Sequence, residues 1–283
     1  MIGFLNINKP SGVTSNYIVC GVKRKLKIKK VGHFGTLDPL ASGVLPVAIG
    51  KATKLFGYFL DKHKIYVATF QFGYETDTLD SQGQIIYTTK NIPSNQQIQD
   101  ALKSFVGKQN QIPPSYSAKN INGVRAYELA RKGEEFTLAS KEIEIFEAKL
   151  IQKVDDSTYQ IYIHCSSGTY IRSIARDLGR MLGSYATMTA LIREKSGIFD
   201  ITNSISPDAD YTGNIISVEQ VLPELERVDI PDSFYKKLLN GVPIEYPLKQ
   251  NEFILYCKNE LFGIAEQKDG LIKIKVNLKE ADL

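Results

Sequence analysis

Residues 32–46, from Gly32 to Pro46, show no helical or strand period. The run contains Gly32, Gly35, Pro39, Gly43 and Pro46, and such spacing breaks both periodic structures. Its remaining residues are mostly apolar, so the segment reads as a loop held against a core. Loops fixed in that way are where chemistry tends to sit. Asp38 is its only carboxylate. Pro39 confines the Asp38 backbone to extended conformations, and Gly35 and Gly43 let another backbone approach closely. Taken alone, Asp-Pro is most often a turn in which the carboxylate bonds its own backbone. The whole string describes something narrower: one acid, fixed in place, in apolar surroundings.

Composition narrows the function classes. A chain of 283 residues suggests one large domain, or a large and a small one. No apolar run is long enough to span a membrane. The first ten residues lack a charged n-region and a long apolar h-region, so secretion is not expected. Cys20, Cys165 and Cys257 are an odd, scattered trio, which argues against a disulfide framework. His33, His63 and His164 show no metal-ligand spacing. The net charge of +4 permits nucleic-acid binding without requiring it.

Along the chain, residues 4–8 form an apolar strand entering the turn Asn8-Lys9-Pro10-Ser11-Gly12. Thr14 or Ser15 caps a helix whose face is Ile18, Val22 and Leu26. Residues 23–30 carry six cations and lead into the Asp38 loop, as a solvated helix end or as a phosphate-contacting patch beside the site. Residues 62–73 alternate as a strand with Tyr66, Ala68, Phe70 and Phe72 on one face. Residues 76–83 are a polar turn in which Asp80 is expected to close an Asx-turn. Ser94 and Gln97 form a capping box for a helix ending near Gly107. Residues 111–133 interleave cations, prolines and aromatics, a mixture suited to RNA backbone contact and base stacking.

Residues 142–150 and 158–165 alternate as strands. Thr169 is expected to cap a helix with the stripe Ile171, Ile174, Ala175, Leu178, Met181 and Leu182. Arg172, Arg176 and Arg180 share another face. A cation in a first helical turn is unfavourable, so Arg172 calls for an anionic partner. Residues 188–199 fit a short amphipathic helix that would bury Leu191. Beyond about residue 228, a short helix and three apolar strands suggest a separate small unit.

The string from Gly32 to Pro46 closely resembles the active-site loop of the TruB family, the bacterial tRNA pseudouridine-55 synthases. The strings Asn8–Ser15, Lys64-x-Tyr66, Thr76–Gly83, Gly168–Arg172 and Met188–Phe199 are similar to that family's other motifs. The matches therefore run from residue 8 to residue 199. Two departures stand out: Phe34 replaces the usual threonine, and Asn120 stands where a lysine is usual, with Lys119 just before it.

The resemblance implies an α/β (α+β) pseudouridine-synthase-like fold with a largely antiparallel central sheet. It implies a catalytic domain over 1–227 with an RNA-gripping insertion at about 111–140, and a PUA-like β-rich unit over 228–283. It makes Asp38 the catalytic carboxylate, Arg172 its partner and Tyr66 the ring that stacks on the target base. Tyr170 and Leu191 line the uracil pocket, and His33, Lys9, Lys64, Lys119 and Arg125 contact substrate or RNA. The implied partner is the tRNA T arm, met by a cytoplasmic monomer without cofactor, metal or membrane. A tRNA-binding or folding factor on the same scaffold is the competing reading. Retention of Asp38, Tyr66 and Arg172 favours the enzyme.

Overall fold

From Lys64 to Phe72 every second side chain is buried, the pattern of a strand with one packed face. The structure, a computed structural model, describes residues 1–279 apart from 60, 61, 118, 122 and 135. In chain order its first elements are β1 (Gly3–Lys9), α1 (Ser15–Leu26), β2 (Val31–His33), β3 (Ser42–Ile49), β4 (Lys64–Phe72), β5 (Tyr74–Thr76) and β6 (Ile85–Thr88). Then come α2 (Asn95–Ser104), β7 (Gly107–Gln111), β8 (Asn120–Ile121), β9 (Val124–Arg125), α3 (Ala126–Arg131), β10 (Lys141–Lys153) and β11 (Thr158–Cys165). The large sheet is completed by β12 (Ala186–Ser196) and β13 (Phe199–Asp200), which follow α4 (Ile171–Met181).

The sheet runs β1-β3-β12-β4-β11-β10-β7, with β2 on β3 and β13 on β12. The β3–β12 pairing is parallel and the others along this path are antiparallel. This is the mixed, largely antiparallel sheet that the sequence leads to. Helices α2 and α4 cover one face. Ile98 and Leu102 from α2 and Ile174 and Leu178 from α4 pack with Phe70, Ile161 and Met188 of the strands. The Ser94–Gln97 capping box starts α2 as expected.

A second sheet follows α5 (Val218–Val221). It contains β14 (Arg227–Ile230), then, after α6 (Tyr235–Leu239), β15 (Ile244–Glu245), β16 (Glu252–Cys257), β17 (Glu260–Lys268) and β18 (Leu271–Asn277). Its order is β14-β16-β17-β18-β15, and Phe253, Leu255, Phe262 and Ile272 give it a core of its own. The 3-10 helix Gly50–Phe59 joins it to the large sheet. Lys51 and Lys54 donate to the Lys279 and Asn277 carbonyls, and Phe59 packs with Ile254 and Ile264.

Four local expectations are corrected. Residues 186–196 are a strand rather than an amphipathic helix, because β12 is seated between β3 and β4 and alternate side chains, Leu191 and Arg193, turn inward. Thr169 does not cap α4; its Oγ1 donates to Ser166 O at 2.9 Å, and Tyr170 takes the N-cap position without a side-chain cap bond. Met181 is exposed, at the end of the helix where the stripe leaves the core. Residues 23–30 do not flank the Asp38 loop. The first turn of α1 touches that loop at Ser15, Lys23 to Leu26 lie about 12–16 Å further along the helix at 1.5 Å per residue, and Lys30 meets Gly50 at the end of β3 away from the loop.

Gly43 is where β3 meets both neighbours, opposite Lys9 on one side and Arg193 on the other. Its φ is +99°, and a Cβ there would lie 2.3 Å from Arg193 O. Gly43→Ala is therefore expected to destabilise the fold by at least about 2 kcal/mol, combining backbone strain with overpacking. Denaturant unfolding measures this; a loss below about 0.5 kcal/mol would contradict the close approach.

Candidate active site

The Asp38 loop links β2 to β3 and is stitched down along its length. Ser15 Oγ, in the first turn of α1, accepts from Leu37 N at 2.9 Å and donates to Leu37 O at 3.0 Å. Gly12 N donates to Pro39 O at 2.8 Å, and Ser11 Oγ to Leu40 O at 2.7 Å. Leu37 and Ala41 are buried in the main core. Lys9 lies beneath, fully buried, donating to the carbonyls of Pro10, Val13 and Pro39 at 2.9, 2.7 and 3.3 Å. Its three donors are thus taken by backbone, which departs from the expected RNA contact and makes Lys9 a brace for the loop.

Asp38 meets Arg172 through two contacts. Nε lies 2.9 Å from Oδ2, and Nη2 donates to Oδ1 at 3.2 Å. The other guanidinium contacts are Nη1 to Thr78 O at 2.9 Å, Nη1 to Asp80 Oδ2 at 3.4 Å and Nη2 to Tyr116 O at 3.1 Å. Three hydrogen bonds and two ion-pair contacts thus surround the guanidinium. The Arg172 side chain is 8% exposed and that of Asp38 is 33% exposed, so the carboxylate retains an open side. Burial pushes the Asp38 carboxyl up from the usual carboxylate range. The Arg172 charge is the largest force opposing that rise, Asp80 adds to it, and Lys9 helps to lower it.

Asp80 both closes the expected turn and reaches beyond it. Its Oδ1 accepts from Gln82 N at 3.0 Å and Thr78 Oγ1 at 2.7 Å, while Oδ2 faces Arg172. Leu79, between Thr78 and Asp80, has φ +63°, an uncommon conformation for a non-glycine residue. That turn presents the Thr78 carbonyl and the Asp80 carboxylate to the same guanidinium.

Tyr66 and Leu191 lie in the core cluster that includes Leu37 and Ala41, on neighbouring strands β4 and β12. Burial pushes the Tyr66 phenol up to about 12, with Arg193, its hydrogen-bond partner, opposing the rise. Arg193 was not anticipated from the sequence. It is 1% exposed, donates from Nε to Val44 O at 2.7 Å and from Nη2 to Gly35 O at 3.0 Å, and has no carboxylate partner among the described residues. A strand reading of 186–196 would have exposed it, since Arg193 follows Leu191 by two on the inward face.

Tyr170 is half-buried at the start of α4. Its N–H donates to Gln111 Oε1 at 2.8 Å and its carbonyl accepts from Gln111 Nε2 at 3.1 Å. His33 is half-buried on β2 with an unbonded, buried Nδ1, and burial together with Arg193 lowers its pKa. Lys64 is buried rather than surface-facing, donates to Ser167 Oγ at 2.8 Å, and is lowered to about 8 by burial. Lys119 Nζ donates to Ala139 O at 2.7 Å within the insertion, and Arg125 is exposed in the β8–β9 hairpin. Ala118 and Asn122 of that segment lie outside the described residues. Among the described residues no group of three or more His, Cys, Asp or Glu could hold a metal ion, and no helix is long and apolar enough to cross a membrane.

The comparisons with known proteins point one way. A model of the TruB family pseudouridylate synthase N-terminal domain matches residues 23–171. The tRNA pseudouridine synthase B of Clostridium acetobutylicum is 43% identical over 248 residues, covering 86% of each chain. That of Clostridium kluyveri is 38% identical over 285 residues, covering 97% of this chain and 98% of the relative. Among solved structures, a Cbf5–Nop10–Gar1 complex has a chain that superposes with TM-score 0.69 at 24% identity over 98% of this chain and 84% of its own, a likeness of fold. With the family model covering more than half its length and these relatives spanning most of it, the chain belongs to the TruB family of pseudouridine synthases.

Proposed function

We propose that this tRNA pseudouridine synthase, an isomerase, acts on uridine 55 in the T loop and uses Asp38 as its nucleophile. The observation that carries the reading is the Asp38–Arg172 pair, joined by one hydrogen bond and one ion-pair contact, whose carboxylate keeps one open side and whose loop packs in the same cluster as Tyr66 and Leu191. A cation and two carboxylates buried for structural reasons alone would gain little over apolar packing. An acid held ionised against burial is suited to attack.

In this reading the target uridine leaves its stack and enters the cleft. Tyr66 stacks on the uracil, Leu191 bounds the pocket and Tyr170 lines its mouth. Asp38 adds to the nucleoside, the N1–C1′ bond breaks with its electron pair left on N1, and the uracil turns; C5 then bonds to C1′, the bond to Asp38 is released, C5 loses its proton and N1 takes one up. Arg172 balances the carboxylate charge whenever it is free. Arg193 fixes the Tyr66 hydroxyl, and His33 takes the role of supporting the vacated stack. The insertion at 111–140, with Lys119 and Arg125, grips the T arm. The 1–227 segment carries the chemistry and 228–283 an additional RNA contact, in a monomer acting in the cytoplasm.

Asp38→Asn is expected to abolish pseudouridine formation while tRNA affinity stays within about threefold of wild type, since the amide keeps the size and turn preference but is a poor nucleophile. Position-resolved pseudouridine mapping decides; substantial turnover by the variant would exclude Asp38 as nucleophile.

The acid limb of single-turnover rate against pH should lie above the ordinary aspartate value of about 4. Burial raises the Asp38 pKa, and the rate needs the deprotonated form, so activity falls as pH drops through the raised value. Arg172→Met removes the largest opposing charge and should move that limb further up. A limb unmoved by the substitution would separate the observed titration from Asp38.

Arg193→Met leaves the Gly35 and Val44 carbonyls without their donor and should cost about 1–3 kcal/mol in denaturant unfolding. Arg193→Lys should restore part of the loss. A fully stable methionine variant would mean the two carbonyls need no cation.

A further inference from the structure

A groove of about 370 Å³ runs along α1 outside the Asp38 cleft. Tyr17, Gly21, Arg24 and Lys25 line it on the helix side, and Pro207 and Tyr211 on the other. The helix residues recur at spacings of four and three, so they form one face. Tyr17 is 58% exposed, with its ring open to solvent. Gly21 leaves a gap beside it, since a Cβ there would meet nothing within 4 Å. Arg24 is exposed and its side chain has no hydrogen bond or ion pair among the described residues. Lys25 is anchored, donating to Pro207 O at 2.9 Å with its ammonium 4.9 Å from the centre of the Tyr211 ring. Asp208 is the one carboxylate on the rim and lies 4.0 Å from Lys25 Nζ, which leaves Arg24 uncompensated.

The groove lies on a different face of α1 from its contact with the Asp38 loop, since Tyr17 follows Ser15 by two residues, about 200° around the helix. Ser15, two residues before Tyr17, exchanges two hydrogen bonds with Leu37, the neighbour of Asp38. From Tyr17 to Arg24 the helix rises about 10 Å away from that loop. Lys23, Lys27, Lys29 and Lys30 continue the positive charge at the far end. An open aromatic ring, a side-chain-free gap and an unpaired guanidinium in sequence match the needs of one unstacked nucleotide. Aromatic stacking is tolerant of base identity, and arginine holds phosphate through paired N–H groups.

We propose that this groove is a second RNA site, which takes one nucleotide of the tRNA strand running away from the Asp38 pocket, with its base on Tyr17 over the Gly21 gap and its phosphate on Arg24. The proposal rests on the tRNA reading above. It gives the basic stretch at 23–30 a role that does not require it to flank the cleft.

The test changes charge inside the groove without touching the catalytic residues. Gly21→Glu and Gly21→Lys both fit the open space, and each replaces a helical glycine with a better helix former, so thermal stability should not fall. Asn16→Glu, on an exposed position of the same helix outside the groove lining and two turns from Arg24, controls for long-range charge. Binding of unmodified tRNA by the full chain is measured at fixed salt by fluorescence anisotropy. Gly21→Glu should weaken binding about tenfold, as one lost phosphate contact implies, Gly21→Lys should tighten it, and Asn16→Glu should stay within about twofold. Arg24→Gln should weaken binding and flatten the salt dependence by about one counterion. Tyr17 should crosslink to 4-thiouridine placed near the T loop. Equal effects of Gly21→Glu and Asn16→Glu, or an Arg24→Gln variant with wild-type affinity, would overturn the groove. Pseudouridine mapping in the same samples separates the two readings. Absence of wild-type turnover on tRNA removes the tRNA assignment, whereas normal turnover with an unaffected Gly21→Glu removes the groove alone.

Discussion

The Arg172 guanidinium is the point on which the site depends. Its three hydrogen bonds and two ion-pair contacts reach the Asp38 loop, the Thr78–Asp80 turn and Tyr116 at the base of the insertion. Three segments distant in sequence therefore share one cation. A buried charge is tolerated only when its hydrogen-bonding capacity is filled, so each segment must be in place for the others to be stable. The burial that makes the arrangement demanding also raises the Asp38 pKa and gives the opposing cation its importance.

Beneath the loop the electrostatics run the other way. Lys9, Lys64 and Arg193 are buried there, and backbone carbonyls supply most of their hydrogen bonds. Burial lowers both lysines to about 8. Lys9 and Arg193 fix loop geometry through the Pro39, Gly35 and Val44 carbonyls, contacts that a carboxylate would disrupt by drawing the donors away, while Lys64 donates to Lys62 O and Ser167 Oγ. They also set a positive background behind Asp38, favourable to an anionic substrate approaching the open side.

Much of this was legible in the sequence because it is local. The Gly/Pro-broken apolar string marks the Asp38 loop without any long-range information. The placement of Arg172 in a first helical turn implies an anion, and one is present. Alternation in 64–72 gives β4 and its buried face. What escaped depends on partners far along the chain. Lys9 reads as a surface turn lysine until the Pro39 carbonyl is brought over it. Residues 186–196 carry apolar residues at spacings that suit a helix as well as a strand, and the parallel seat beside β3 decides between them. That misreading hid Arg193. Thr169 had the chemistry of a cap, but Gln111, 59 residues away, bonds the Tyr170 backbone instead. The direction of α1, which carries 23–30 away from the cleft, is set by the Ser15–Leu37 contact at its opposite end.

The root of the insertion is tied to α4 at several points. Ser173 Oγ and Arg176 Nη2 both donate to Ile112 O, Gln111 grips Tyr170, and Tyr116 O accepts from Arg172. The insertion and the cation paired with Asp38 are thus parts of one bonded assembly. On the function proposed above, linkage would apply in both directions: an RNA that seated the insertion firmly would stabilise the ionised carboxylate, and a charged carboxylate would strengthen the hold on that RNA. A polynucleotide that reached Asp38 without engaging the insertion would meet a less ordered guanidinium and a less reactive acid. Discrimination between correct and incorrect RNA would then be written into the reactivity of the site as well as into its affinity.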